Sequence, residues 1–415
     1  MKSFITYLTE KKDALGHGSD SKSDKLTHIH HAEDRPIFHG FSGFEHAHGA
    51  LTHAHEHMKA GHHNTNLTMK YDGSPSVVFG HHPKTKKFFV ASKSAFNKDP
   101  KLNYSHEDIQ KNHGHAPGLV AKLGAALEHL PKVAPKQGVY QGDLMHSHGD
   151  VEHDKKSGTA KFTPNTITYT AKGDEAKKAA ASKVGVVVHQ KYEHSGGSKE
   201  LHDMGATPHP DMHNFKQHAD VHLKSAEHDT SKVKYAEKDQ KEFQGHMASA
   251  KKIHDTHGGS MYAAMHPEHK GEGGHMGTYI NATVRNDETP SASGFKSHVT
   301  GHFEKQAAKL KSEKGQAGKR AAGAEQVAHI EKNKEHYDNM FKMHGHLQKA
   351  KDVLVKNLNQ HTGGFEHHID KAKTDPEGFV INHEHEGKTE PTKLVNRKEF
   401  SKANLLKIKK WNQGT

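Results

Sequence analysis

The sequence predicts an α+β fold: largely antiparallel sheets, interrupted by a large and mostly helical insertion. Three observations predict it. Only 31% of the 415 residues are hydrophobic, and they gather in short, β-branched, turn-bounded runs such as "SVVFG", "FFVAS", "VGVVVH" and "GFVIN", as strands do. Residues 200–370 are instead rich in Lys, Glu, Gln, Ala and His, which favours helices and exposed loops. From about residue 64 to 195, the order strand, hairpin, helix, strand, strand describes an α+β domain with largely antiparallel sheets.

Taken in order, residues 1–60 read as a polar, partly helical leader in which Phe44, Leu51, His55 and Met58 follow helical spacing after the turn-rich "HGFSG". Residues 61–195 carry "LTMKYDGSPSVVFG", "KKFFVASKSAF", a helix at "APGLVAKLGAALEHL", then "GVYQGDLM", "TITYTA" and "KVGVVVHQKY". Residues 196–372 form the insertion. Its best helix spans 324–358, where Val327, Ile330, Tyr337, Phe341, Leu347, Leu354 and Leu358 make one apolar stripe. Within the insertion, "GTYINATVRNDETPSASGF" (277–295) reads as strand and turn. Strand character returns in 373–415, at "EGFVINHE" and "PTKLVNR". No fixed-period repeat suggests a solenoid.

Composition bounds the function. No apolar run is long enough to span a bilayer, and "MKSFITYLTEKKDALG" lacks the apolar stretch and cleavage site of a secretory signal. A soluble, cytoplasmic protein is therefore expected. The absence of cysteine excludes disulfides and thiolate metal sites. A formal charge of +11 and a pI near 9.3 point to a polyanionic partner, nucleic acid above all. The densest basic run is "KLVNRKEFSKANLLKIKKW", residues 393–411.

Forty-six histidines invite a metal reading. His53 with His57, and His218 with His222, have the i, i+4 spacing that sets two imidazoles on one helix face. At this density such pairs arise by chance, and no His-Glu-x-x-His pattern accompanies them. They read as solvated or half-buried polar residues rather than a dedicated zinc site.

Chemistry gathers elsewhere, in an ordered set: Lys70-Tyr71-Asp72-Gly73, then Gly142-Asp143, then Glu377-Gly378-Phe379-Val380, then Lys393 with Arg397. An amine nucleophile must be uncharged, so a catalytic Lys70 needs desolvation or neighbouring cations to lower its pKa; Lys93, Lys393, Arg397 and a bound metal are candidates. The same charges would stabilise a transferring phosphoryl group.

This set resembles the covalent nucleotidyltransferase superfamily of polynucleotide ligases and messenger-RNA capping enzymes, and is closest to phage-type RNA ligases. The resemblance covers residues 64–195 and 375–410. It implies a nucleotidyltransferase (ATP-grasp-like ligase) core acting with ATP and Mg²⁺, with Mn²⁺ as a substitute, in which Lys70 takes AMP and passes it to RNA or nicked duplex. On that pattern Lys70, Asp72 and Lys393 are catalytic. Tyr71, Gly73, Lys93, Asp143, Tyr169 and Arg397 bind the nucleotide, with Tyr169 stacking on the base, while Glu377 and Asp143 hold the metal. Asp72 orients nucleophile or metal, and Gly73 allows close backbone approach.

The sequence departs from the family in several places. Gly-Asp replaces Gly-Glu, Asn382 stands where ligases often carry lysine, and Val395 replaces the second lysine of the last motif, leaving Arg397 or Lys407 to compensate. Only about 20 residues follow Lys393, so no C-terminal OB-fold is expected. Stretches such as "FFVASKSAFNKDPKLNY" are also similar to an uncharacterised protein family of tailed phages, which implies work in a bacterial cytoplasm. The rival readings are a nucleotidyltransferase modifying a protein or metabolite, and a non-catalytic binding or virion-associated protein.

Overall fold

The computed structural model describes residues 29–61, 66–147, 149–194, 200–207, 210–271, 274–370, 372–397 and 400. The chain forms two compact units, one of His62–Lys232 with His361–Pro391, the other of His30–Gly61 with Val233–Gln360 and the chain from Thr392.

The first unit is built of sheets. In chain order its strands are β1 (Leu67–Lys70), β2 (Ser76–His81), β3 (Phe88–Ala91), β4 (Val139–Ser147), β5 (Glu152–Asp154), β6 (Thr159–Phe162), β7 (Thr168–Lys172), β8 (Val184–His194), β9 (Met204–Ala206), β10 (Val221–Ser225), β11 (Phe365–Ile369), β12 (Ala372–Thr374), β13 (Gly378–His385) and β14 (Lys388–Val395), the last running on into the second unit. One sheet has the order β10-β8-β4-β2-β3, with β9 beside β8; a second is β12-β11-β7-β6-β5; a third is β1-β13-β14. The described pairings are antiparallel except β10 with β8, which is parallel.

Alternation explains the largest sheet. Val77 and Phe79 of β2 face one way and pack with Tyr140, Leu144, Val186 and Val188 beneath Leu123 and Ala126 of the helix Pro117–His129. Val78 faces the other way, into a cluster with Phe89, Ala91, Phe96, Val139 and Tyr192. Each such fully buried side chain stabilises the fold by about 1.5–3 kcal/mol. The strand of "VGVVVH" is apolar throughout because both faces of its sheet are covered.

The pairing of β4 with β8 is broken twice. Gln141 pairs with Gln190 but Gly142 with Val188, and Leu144 pairs with Val186 but His146 with Gly185. His189 on β8 and Met145 on β4 are thus the extra residues of two bulges bracketing Gly142, Asp143 and Leu144.

The second unit is helical, with Arg35–Ala60, Glu237–Ala264, His275–Asn286, Ala292–Ala307, Glu313–Lys332 and Lys334–Leu358. Phe44, Leu51, His55 and Met58 are buried on the first of these, as their spacing predicts. Gly40, at φ 61° and ψ −129°, breaks that helix within "HGFSG", a conformation that favours glycine. The stripe expected over 324–358 is present, with all but Val327 fully buried, but the helix is divided at Asn333 (φ −109°, ψ 23°).

Three sequence readings are corrected. Residues 277–295 are not strand: most lie in two helices, because Met276, Tyr279, Ile280 and Thr283 bury one helical face and tertiary packing outweighs their β-branched composition. The helical region begins at Val233 and ends at Gln360, inside the 196–372 interval, since β9, β10, β11 and β12 pair with sheets of the first unit. His218 and His222 share no helix: His222 lies on β10, and His218 precedes it in a loop.

Candidate functional site

The Lys70 site is assembled by strand register. β1 runs antiparallel to β13 with Lys70 opposite Gly378, which sets the preceding residue, Glu377, beside the lysine. Lys70 Nζ and Glu377 Oε1 are 2.5 Å apart; the lysine side chain is 27% exposed and the glutamate 9%. Burial would depress the Lys70 ammonium, but Glu377, by charge and hydrogen bond, and then Asp143 and Asp72 overcome it and hold its pKa above the ordinary lysine value. This reverses the sequence expectation of a lowered pKa: the groups acting most strongly on the amine are acidic.

Asp143 comes from β4, opposite Ser76 of β2 and Val187 of β8. Its Oδ1 is 3.6 Å from His189 Nε2. Burial would raise its carboxyl, yet His189, Lys70 and a hydrogen bond with Ser76 keep it below the usual range. Ser76 Oγ also accepts from Gln141 Nε2 at 2.8 Å, and Gln141 Oε1 accepts from Tyr192 at 2.5 Å. Polar side chains thus fix the sheet surface under Asp143.

Gly73 is required here. A Cβ on it would lie 2.5 Å from Asp143 Cβ and 3.1 Å from Leu144 O, so the close approach expected of it is made to Asp143. The turn is held from outside by Lys122, whose Nζ donates to Ser74 O at 2.7 Å. Lys93 lies in the 3₁₀ turn Lys93–Phe96, with its side chain reaching the surface but its ammonium partly desolvated; the desolvation pushes its pKa down, Asp143 opposes this and Lys70 adds to it.

The remaining predicted residues lie differently. Asp72 does not present a free carboxylate: Oδ1 accepts from Asn165 Nδ2 at 2.8 Å, and Oδ2 accepts from the Thr166 and Ile167 amides at 2.6 and 2.8 Å. It ties the β1 turn to the segment leading into β7. Tyr169 is 1% exposed, its hydroxyl accepts from the Asp72 amide at 2.7 Å, and its ring packs with Phe162 and Phe365, so it is core and not a base-stacking platform. Tyr71 is buried against Tyr169 and Phe365 and, with Met69, lines a cavity of about 400 Å³ that Lys224, His228 and Lys232 also line and Lys70 does not.

Lys393 and Arg397 fall in the second unit. The Lys393 amide donates to His30 O at 2.9 Å. Arg397, expected at the nucleotide, has Nη1 2.8 Å from both oxygens of Asp34 and Nη2 2.7 Å from Asn281 Oδ1, so its guanidinium is taken up in a buried network. Lys407 lies outside the described residues.

Among the described residues no group of three or more His, Asp and Glu side chains could hold a metal by itself. His53 and His57 do meet, Nε2 to Nε2, at 2.7 Å. Many histidines are more buried than their polarity suggested: His46, His55, His146, His222, His228, His254, His269, His344 and His367 are each at most 5% exposed. They act as small aromatic core residues, several of which use both ring nitrogens, as when His269 meets the Tyr337 hydroxyl at 2.7 Å and Gln326 Oε1 at 3.1 Å.

Sequence reasoning missed His189, Ser76 and Lys122. A trace of His189 was available: the apolar run of β8 ends in two successive polar residues, His189-Gln190, where simple alternation fails, as a bulge requires.

Residues 25–409 match the family DUF6267, a family of unknown function. The chain belongs to that family. No curated protein and no solved structure matches it. No helix of the described residues is long and apolar enough to cross a membrane.

Proposed function

We propose that the first unit is a lysyl-nucleotidyltransferase of the ligase type, using ATP and Mg²⁺ to transfer AMP to a polynucleotide, RNA or nicked duplex. The observation that carries this reading is the β1–β13 register, which brings the Lys70 amine and the Glu377 carboxylate to 2.5 Å from opposite ends of the unit's sequence. Asp143 and Lys93 act electrostatically on the same amine.

In the first step Lys70 Nζ attacks the α-phosphorus of ATP. The N–P bond forms, the bond to the β-phosphate oxygen breaks, and pyrophosphate leaves with that electron pair. The ammonium must first lose a proton, and Glu377 Oε1 is within reach to accept it. Glu377 and Asp143 offer the hard oxygen donors that suit Mg²⁺, or Mn²⁺, and the bound ion would offset the charge of the triphosphate. Lys93 is a cation at the rim that would meet phosphate oxygens. The adenylyl group then passes to a 5′-phosphate, and a 3′-hydroxyl displaces AMP; the net charge of +11 suits such an acceptor.

Two observations favour a second reading, a phage binding protein that keeps the fold without the chemistry. Lys70 is held as an ammonium, and the Asp72 carboxylate is consumed structurally. Incubation with α-labelled ATP and Mg²⁺ separates the two. A label retained through denaturation by the wild type and absent from Lys70→Ala supports the transferase. No label with ATP, GTP or NAD supports the binder.

A further inference from the structure

His189 sits at an irregularity of the sheet. β8 carries one residue more than β4 between Gln190 and Val188, and that residue is His189. A bulge leaves its extra residue outside the ladder and re-aims its side chain. Here the imidazole Nε2 comes within 3.6 Å of Asp143 Oδ1, with 27% of the His189 side chain and 18% of Asp143 exposed. Met145, the extra residue of the opposing bulge, restores the register on the far side of Asp143. The three residues Gly142 to Leu144 are therefore a framed window, and Asp143 is its ionisable member.

The groups around Asp143 come from four elements. Lys70 ends β1, Ser76 opens β2, His189 belongs to β8, and Lys93 lies in the turn after β3; each acts on the aspartate or is acted on by it. Asp143 thus has an imidazole on the neighbouring strand at 3.6 Å as its ion-pair contact, while the Lys70 ammonium, held by Glu377, acts on it through charge without such a contact. If the whole carboxylate turned to Lys70, it would leave the position that the two bulges frame, and its oxygens would no longer be offered to an ion bound there.

We propose that His189 is a positioning residue, which tethers Asp143 from the bulge so that its carboxylate is shared rather than drawn wholly onto Lys70. The proposal rests on the nucleotidyltransferase reading of this site. His189 contacts neither the nucleotide nor Lys70 in this role; it acts through Asp143. Groups that orient a ligating carboxylate commonly matter by about 10–100-fold when removed.

The test compares wild type, His189→Ala, His189→Gln and Asp143→Asn in the full chain, measuring the rate of Lys70 labelling by α-labelled ATP across ATP concentrations, alongside thermal unfolding. His189→Ala should slow the maximal rate about 10–100-fold, with a much smaller change in the ATP concentration giving half the maximal rate, and His189→Gln, which keeps an N–H donor, should recover most of the loss. Full activity in His189→Ala overturns the proposal. So does a loss that glutamine does not rescue and that tracks a lowered unfolding temperature, since that marks a merely structural role.

If the wild type takes no label at all, the nucleotidyltransferase reading fails, and the tether is tested separately by acetylation of Lys70 with acetic anhydride, read by peptide mass. Asp143→Asn should then raise the Lys70 rate severalfold and His189→Ala lower it. Equal rates in all variants overturn the tether itself.

Discussion

Both units hold a lysine against a glutamate, and the two pairs differ in what surrounds them. In the second unit Lys351 and Glu33 are both 0% exposed, with Nζ 2.6 Å from Oε1. Beside them Asp34 accepts from Arg397 at 2.8 Å and lies 2.9 Å from His344 Nε2. Burial would raise the Asp34 carboxyl, but Arg397 and His344 hold it far below the usual range. In the first unit, Lys70 and Glu377 are comparably close but the lysine is 27% exposed. A sealed pair cannot exchange partners without leaving a charge stranded in apolar surroundings, whereas a half-open one can yield to an incoming anion. Distance alone does not separate a sealed ion pair from one that solvent reaches.

Breaking each pair should expose the difference. Glu33→Gln removes the close partner of the buried Lys351 ammonium, leaving only Asp352 at 3.6 Å, and is expected to cost about 3–5 kcal/mol in urea unfolding; Glu377→Gln should cost about 1 kcal/mol, because water reaches Lys70. Similar losses from the two substitutions would erase the distinction.

Acid sharpens it in another way. His269 in the second unit and His146 in the first are each held neutral by burial, with pKa values lowered to about 3. The unfolded chain binds those protons near the ordinary histidine value of about 6.5. The stability they support is therefore complete above that pH and is lost as the pH falls from there toward 3, by about 1–2 kcal/mol for each histidine at pH 5. Proton uptake on unfolding at pH 5, reduced in His269→Gln, checks the sign; proton release would contradict it.

At the half-open site the tightest steric demand is at Gly73. Gly73→Ala should destabilise by about 1–3 kcal/mol through overpacking and displace Asp143, which carboxylate chemical shifts would report. Tyr169→Phe is the mildest change: it removes the hydroxyl that accepts from the Asp72 amide and should cost about 1 kcal/mol, with Lys70 reactivity unaltered. A larger effect on reactivity would return Tyr169 to the site.

These contrasts also show what the sequence could disclose. Strands β1 to β4, β7, β8, β13 and β14 were legible because their runs are β-branched and turn-bounded, whereas the short polar strands β5, β6 and β9 to β12 were not; the ordered motifs carried Lys70, Asp143 and Glu377 into one neighbourhood. Residues 277–295 were not legible, since their β-branched residues also fit one face of a helix and only the packed unit chooses. Asp72 and Tyr169 look alike on paper whether they face a ligand or the core; hydrogen-bond partners far along the chain decide it. Arg397 was misread because its partner, Asp34, lies in a segment that carries no motif. The sign of the Lys70 shift depends on which charges are nearest, and spacing along a chain does not give that.

Competitive amine labelling, comparing Lys70 with Lys351 in the same sample with and without ATP and Mg²⁺, bears most directly on the difference between the two pairs. Lys70 should react with a small acylating reagent and be protected by the nucleotide, while Lys351 stays inert in both conditions. A Lys70 as inert as Lys351, or one that reacts equally with and without nucleotide, would contradict a half-open pair that gives way to a triphosphate.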